Sequence, residues 1–281
     1  MSRRALRRAK SRLMVGLVLA AVVAAVLPLG FILADLVAKG AGSLSLEFFT
    51  RGPAPAGETG GGVVHAIVGT LIIVGLAALL GLPLGIAAGV CCAEFPGTRL
   101  AQATRFVADV MNGTPSIVVG VFAWAWIVAT QKHFSAFAGS VALAMLMIPM
   151  VMRTTEEMIR LVPHSLREAA LALGYPRWRT SLTVVLRTAL PGIVTGSLLA
   201  TARIAGETAP LLFTALGSQF LSTDPTRPMA ALPLVVFQYA TGPYEAWHRL
   251  AWAAALVLIL VVLLLSLAAR LATRRMTGRH D

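Results

Sequence analysis

A chain of 281 residues that is 57% apolar and only 13% charged is too apolar for a water-soluble domain, where the shares are about 45–50% and about 25%. With a mean hydropathy of +0.80 it reads as an integral membrane protein. The net charge of +12 would suit a nucleic-acid partner, but the basic residues fall between apolar runs, the pattern of topology signals, and no nucleic acid is expected.

In chain order, residues 1–12, "MSRRALRRAKSR", are a basic segment leading into an apolar run from Leu13 to Ala38. A secretory leader has this order too, with an apolar core of only ~7–15 residues. This run reaches the ~20 residues that a membrane helix needs, so it is expected to be retained as a first span. Residues 39–62, with "RGPAPAGETGGG", form an external loop. Further apolar segments run from Val63 to Cys92, Phe106 to Thr130, Phe137 to Met158, Leu190 to Leu216 and Trp247 to Leu267. A span must satisfy its own backbone in lipid, so all six are predicted helices and the fold class is all-α and polytopic. Residues 63–270 make a core of five of them, and 271–281 a tail.

Lysines and arginines set the orientation. Eighteen lie before the first span, at Arg99 and Arg105, between Arg153 and Arg187, and in the tail; five, Lys39, Arg51, Lys132, Arg227 and Arg249, lie on the other side. Both termini are therefore expected in the cytoplasm. Gly81, Gly85 and Gly89 recur at every fourth position of the second span, a face for close helix packing. "MAALPLVVFQYA", Met229–Ala240, is too short and too Pro-broken to span, so an interfacial or re-entrant helix is expected. Trp124, Trp126, Trp247 and Trp252 sit near span ends and read as interfacial anchors. Cys91 and Cys92 are adjacent and the five histidines scattered, so no disulfide framework and no metal site is expected.

Between the fourth and fifth spans lies a polar insert, "VPHSLREAALALGYPRWRTSLTVVLRTALPG". Ser165 and Glu168 make a capping box, Pro163 discourages an earlier start, and "LREAALAL" favours helix. Gly174 can end that helix in the left-handed conformation, and Pro176 suits the first turn of another. Two short helices joined at Gly174–Tyr175 are predicted over 163–187, with Leu166, Ala169, Ala170 and Leu173 on one face. A solvated loop helix would not explain the small alanines; a face docked on another protein does. "EAALALG", Glu168–Gly174, and "VVLR", Val184–Arg187, beginning nine residues later, resemble the cytoplasmic signature of bacterial ABC-importer permeases, with Arg187 where that signature has Pro. The resemblance implies a type I permease fold in which residues 163–187 are the coupling-helix hairpin, and Glu168, Ala169, Ala170 and Gly174 meet the ATPase. No GxxxxGK[ST] phosphate loop is present; ATP and Mg are expected on a separate ATPase chain, with no catalytic residue and no cofactor in this one.

The fifth span carries Arg203 and Glu207, one turn apart on the same face of a helix. Arg203 stands thirteen residues past Leu190, roughly 20 Å into a ~30 Å hydrocarbon layer, where a charge costs about 2.5–3.5 kcal/mol. Pro210 clashes with the carbonyl of Gly206 and removes a donor, so the helix is expected to open around "GETAP"; broken helices near mid-membrane are typical substrate sites. From the residues alone, a self-contained ion pair and a substrate site are equally good accounts. Arg preceding Glu is the weaker helix-stabilising order. The arginine fork suits two oxygens of a tetrahedral anion. Glu207 would repel a fully ionised anion but accept a hydrogen bond from one that keeps a proton, as hydrogen phosphate does and sulfate does not.

"ARIAGETAPLLFTALGSQF" (Ala202–Phe220), "NGTPSIVVG" (Asn112–Gly120) and "GGVVHAIVGTLIIV" (Gly61–Val74) resemble the A-type permeases of phosphate-specific importers. That resemblance implies a heterodimer with a second, related permease subunit in the bacterial inner membrane. It also implies two copies of an ATPase subunit and a periplasmic phosphate-binding protein. The substrate, inorganic phosphate, would be bound by Arg203, Glu207 and Thr208, with Gly206 and Pro210 forming the helix break. Asp109, Asn112, Thr114 and Ser116 in the third span are better explained by capping around Pro115 and by packing between subunits; Asp224 is read as solvated. Three other readings remain open: a permease for another oxyanion (phosphonate, sulfate or molybdate), an ion-coupled carrier without an ATPase, and an intramembrane enzyme acting on a lipid phosphate, for which no nucleophile is visible.

Overall fold

A computed structural model describes residues 3–55, 58 and 60–277. The basic, apolar N-terminal stretch forms one long helix, α1 (Arg3–Gly40). Its apolar side chains face outward, with Leu13 64% and Phe31 69% exposed, as lipid-facing residues are. It meets the rest of the chain at its C-terminal end, where a Cβ added to Gly40 would lie 2.8 Å from the Trp252 carbonyl oxygen and Lys39 sits over the Trp252 ring. A short α2 (Leu46–Thr50), capped by Ser45, buries Phe48.

The centre is built on α3 (Val64–Glu94). The next apolar run is not one rod. It is α4 (Arg99–Gly113), α5 (Ser116–Ala123), a π-helical turn over Trp124–Val128, and α6 (Ala129–Gln131). The chain bends by 106° between the two arms, so the break at Pro115 is a sharp bend, and the first arm begins at Arg99, before the expected Phe106. Pro115 has no N–H to offer and drives Thr114 into an extended conformation (ψ 130°). Next comes α7 (Ala136–Arg160), capped by Ser135. It packs along α3 where small residues permit: a Cβ on Gly85 would meet Val151 Cβ at 2.8 Å, and one on Gly89 the Met152 carbonyl at 2.6 Å. The predicted glycine face is this seam. Ile73, Leu143, Met147, Ile204 and Leu211 form the core beside it.

The insert forms α8 (His164–Ala172) and α9 (Arg177–Thr180). Gly174 has φ +84°, and the Tyr175 N–H donates to the Ala170 carbonyl at 3.2 Å and that of Gly174 to Leu171 at 2.9 Å, the Schellman closure. Two expectations are corrected. The capping box does not form, because Pro163 occupies the cap position and no side chain caps the helix; Ser165 then falls inside the first turn. The second arm is not a separate helix: α9 continues through a π-helical turn (Ser181–Val185) into α10 (Leu186–Ala205).

After α10 come α11 (Ala209–Thr214), α12 (Leu232–Ala240) and α13 (Glu245–Thr277). The re-entrant candidate is α12. Its first turn is packed into the protein: Leu232, Leu234 and Val235 are all enclosed, and the Leu232 N–H donates to Thr70 Oγ1 at 2.8 Å. Trp247 is sandwiched with Tyr239 and Tyr244, a packing residue. Five helical stretches among the described residues are long and apolar enough to cross a membrane, and six if the bent α4–α6 pair counts as one.

Candidate functional site

The helix of the fifth span stops where Pro210 requires it to. Past Ala205 the amides of Gly206 and Glu207 turn back three residues, to Arg203 (3.2 Å) and Ile204 (3.1 Å). Pro210 lies in the first turn of α11, and the Leu211 and Leu212 amides start that helix on the Thr208 carbonyl at 3.1 and 3.2 Å. Gly206–Thr208 is thus a break, as expected. The helical spacing that would put Arg203 and Glu207 on one face ends between them. Arg203 lies in the last turn of α10, Glu207 in the break, and among the described residues no ion pair joins them. Helical spacing governs side-chain separation only while the helix lasts.

A second break faces this one. At Thr114–Pro115 the Thr114 amide turns back to the Met111 carbonyl at 3.2 Å, its hydroxyl donates to Val110 at 2.8 Å, and the Val118 amide starts α5 on the Pro115 carbonyl at 2.9 Å. Gly120 of α5 lies directly on Pro210 of α11; a Cβ there would sit 2.6 Å from Pro210 Cα. Only a residue with no side chain lets the two broken helices approach so closely.

Between the breaks lies a cavity of about 340 Å³, lined by Met111 to Ser116, by Leu146 and Met150 of α7, and by Arg203 and Glu207. Arg203 is exposed and Glu207 half-buried. The side chains of Arg203, Glu207, Asn112 and Ser116 have no hydrogen-bond or ion-pair partner among the described residues. Asn112, Thr114 and Ser116, expected to cap the break and to pack between subunits, all line this cavity. Only Thr114 also braces the backbone. Their common segment, flanking a proline in an apolar run, was the available signal. Asp109 is elsewhere, paired with Arg153. Thr208 is half-buried and does not line the cavity.

Toward the insert the charges are paired. Glu94, ending α3, accepts from Arg167 of α8 at 2.7 Å and from the Ser181 hydroxyl, which pins both arms of the hairpin to α3. Glu156 of α7, only 2% exposed, is held by Arg105 (2.7 Å) and Arg160 (2.6 Å), with Arg153 at 3.5 Å. Arg105 also donates to the Cys92 and Pro96 carbonyls at 2.5 and 3.1 Å, tying the ends of α3, α4 and α7 together. Neither glutamate stands out in the sequence, where each simply ends an apolar run. On the hairpin, Glu168, Ala169 and Gly174 are exposed and Ala170 is buried. The expected shared face is thus divided: Ala170 turns inward, while Leu166 and Leu173 face outward, Leu173 79% exposed, beside Trp178 at 66%.

The profile of the family described as "Binding-protein-dependent transport system inner membrane component" matches residues 81–278. A Yersinia pestis protein, phosphate transport system permease protein PstA, is 48% identical over 269 residues, covering 95% of this chain and 91% of that one. Phosphate transport system permease protein PstA 1 of Mycobacterium tuberculosis (strain ATCC 25618 / H37Rv) is 40% identical over 279 residues, covering 96% of this chain and 90% of that one. A solved chain described as an inward-facing conformation of the MetNI methionine ABC transporter superposes with a TM-score of 0.64, covering 76% of this chain and 95% of that one at 21% identity; that similarity concerns the fold.

Proposed function

Because this chain belongs to the binding-protein-dependent transport system inner membrane components, we propose that it is the permease subunit of an ATP-driven importer of inorganic phosphate. Relatives that carry that name match it along nearly its whole length, and this observation carries the choice of phosphate. Permeases of this family are multi-pass membrane proteins that work with an ATPase and a substrate-binding protein.

In the complex, this chain and a second, related permease subunit enclose the pathway in the bacterial inner membrane, both termini in the cytoplasm. A periplasmic phosphate-binding protein delivers the anion. The hairpin over 163–187 presents Glu168, Ala169 and Gly174, with Ala170 packed beneath, to one of two ATPase copies, which bind ATP and Mg and carry out the hydrolysis. Inside the cavity Arg203 donates two N–H groups to two anion oxygens. Glu207 accepts from the oxygen that carries the proton, which hydrogen phosphate has and sulfate lacks. Thr208 acts through the break that Gly206 and Pro210 create, its carbonyl setting the start of α11 and so the position of Glu207.

The test is ATP-driven uptake of labelled phosphate and sulfate into vesicles holding all subunits, for wild type and Arg203→Ala. Phosphate alone should enter, and the variant should assemble normally yet take up about 100-fold less, the loss of charge-assisted hydrogen bonds at ~1.5–3 kcal/mol each. Normal phosphate uptake by the variant would return Arg203 to a packing role, and uptake of sulfate instead would move the chain to another oxyanion.

A further inference from the structure

We infer that the α4–α5 break is the second half of the anion site, with Asn112 and Ser116 as specificity-determining donors to hydrogen phosphate. This rests on the proposed phosphate reading. Hydrogen phosphate offers three acceptor oxygens and one O–H. Arg203 accounts for two acceptors and Glu207 for the O–H, which leaves one oxygen to be met by the rest of the lining, where Met111, Pro115, Leu146 and Met150 offer no side-chain donor. An unpaired anionic oxygen against apolar walls is costly.

The remaining lining narrows the choice of donor. Thr114 has already committed its proton to the Val110 carbonyl, 2.8 Å away, so its hydroxyl can only accept. Asn112, with two amide N–H groups, and Ser116, with one O–H, are uncommitted. If these two residues served to cap the broken helix, they would bond the orphan backbone groups at its ends. That work is done instead by Thr114 and by the backbone of Met111 and Pro115. Gly120 against Pro210 then holds this break in register with the Arg203–Glu207 break, so the two half-sites face each other across one cavity.

The experiment measures ATP-driven uptake of phosphate by the complete importer in vesicles, for Asn112→Ala, Asn112→Asp, Ser116→Ala and Ser116→Thr, each compared at equal amounts of assembled complex. Asn112→Ala and Ser116→Ala should each lower phosphate uptake by about 10-fold, the loss of one hydrogen bond to a charged group. Asn112→Asp keeps the shape but replaces the donor by a second carboxylate, and should fall below Asn112→Ala. Ser116→Thr keeps the hydroxyl and should remain near wild type. A packing role would give the opposite order at position 112, the near-isosteric Asp being tolerated better than Ala. That order, or unchanged uptake in both alanine variants while Arg203→Ala abolishes it, overturns this inference and leaves the phosphate reading standing. Normal uptake in Arg203→Ala as well overturns both.

Discussion

Helix α7 borders two charged regions on adjacent turns, and they differ in whether their charges are paired within the chain. Around Glu156, three arginines share one buried carboxylate, and the leftover donors of Arg105 reach backbone carbonyls. Around Arg203, the charged and polar side chains lining the cavity lack partners within the described residues, Thr114 excepted. Buried charge shared among several ion-pair partners holds helices in place, and removing one member leaves the others stranded. Charge left open toward a cavity contributes nothing to the fold and awaits an ion from outside. The first kind of region should therefore fail in stability when altered, the second in transport.

The largest expected effect tests the ion-paired region. Glu156→Ala strands Arg105, Arg153 and Arg160 and should cost about 3–5 kcal/mol, read as loss of folded protein in the membrane; a wild-type level of folded chain would break the contrast. Arg203→Ala should leave the amount of folded protein unchanged while phosphate uptake falls about 100-fold, equivalent to ~2.7 kcal/mol; a fall in both together would make Arg203 a structural residue. Gly120→Val joins the two regions' logic, since it forces a side chain against Pro210. Overpacking of this kind costs about 1–3 kcal/mol and should shift one break relative to the other, so uptake should drop more than the thermal midpoint does. Glu94→Arg should lower coupled uptake several-fold by releasing Arg167, and Glu94→Arg combined with Arg167→Glu should recover most of it, as measured by phosphate imported per ATP hydrolysed. At the small end, Asp35→Ala removes an exposed pair with Lys39 worth about 0.5 kcal/mol or less, and uptake and melting should both stay at wild-type values.

Much of the architecture was legible in the residues because membrane helices obey a local rule: long apolar runs must close their own hydrogen bonds. The glycine seam of α3, the left-handed Gly174 and the break before Pro210 follow from single residue types with few conformations to choose from. The errors came where two local signals competed or where burial decided. Ser165 and Glu168 have the spacing of a capping box, but Pro163 captured the cap position. Pro115 was recognised as a break, yet not as a bend large enough to separate α4 from α5. Arg203 and Glu207 meet at one cavity, but not along a continuous helix, whose period ends between them.

What the chain's order of residues determined on its own is the set of helices, their breaks and the hairpin, since each depends on backbone chemistry within a few positions. Only the tertiary structure decided what those breaks are for. Asn112 and Arg203 are 91 positions apart in the chain, and nothing near either one predicts the other. They meet because Gly120 and Pro210 let α5 and α11 approach to backbone contact, a relation set by packing and therefore absent from any local pattern.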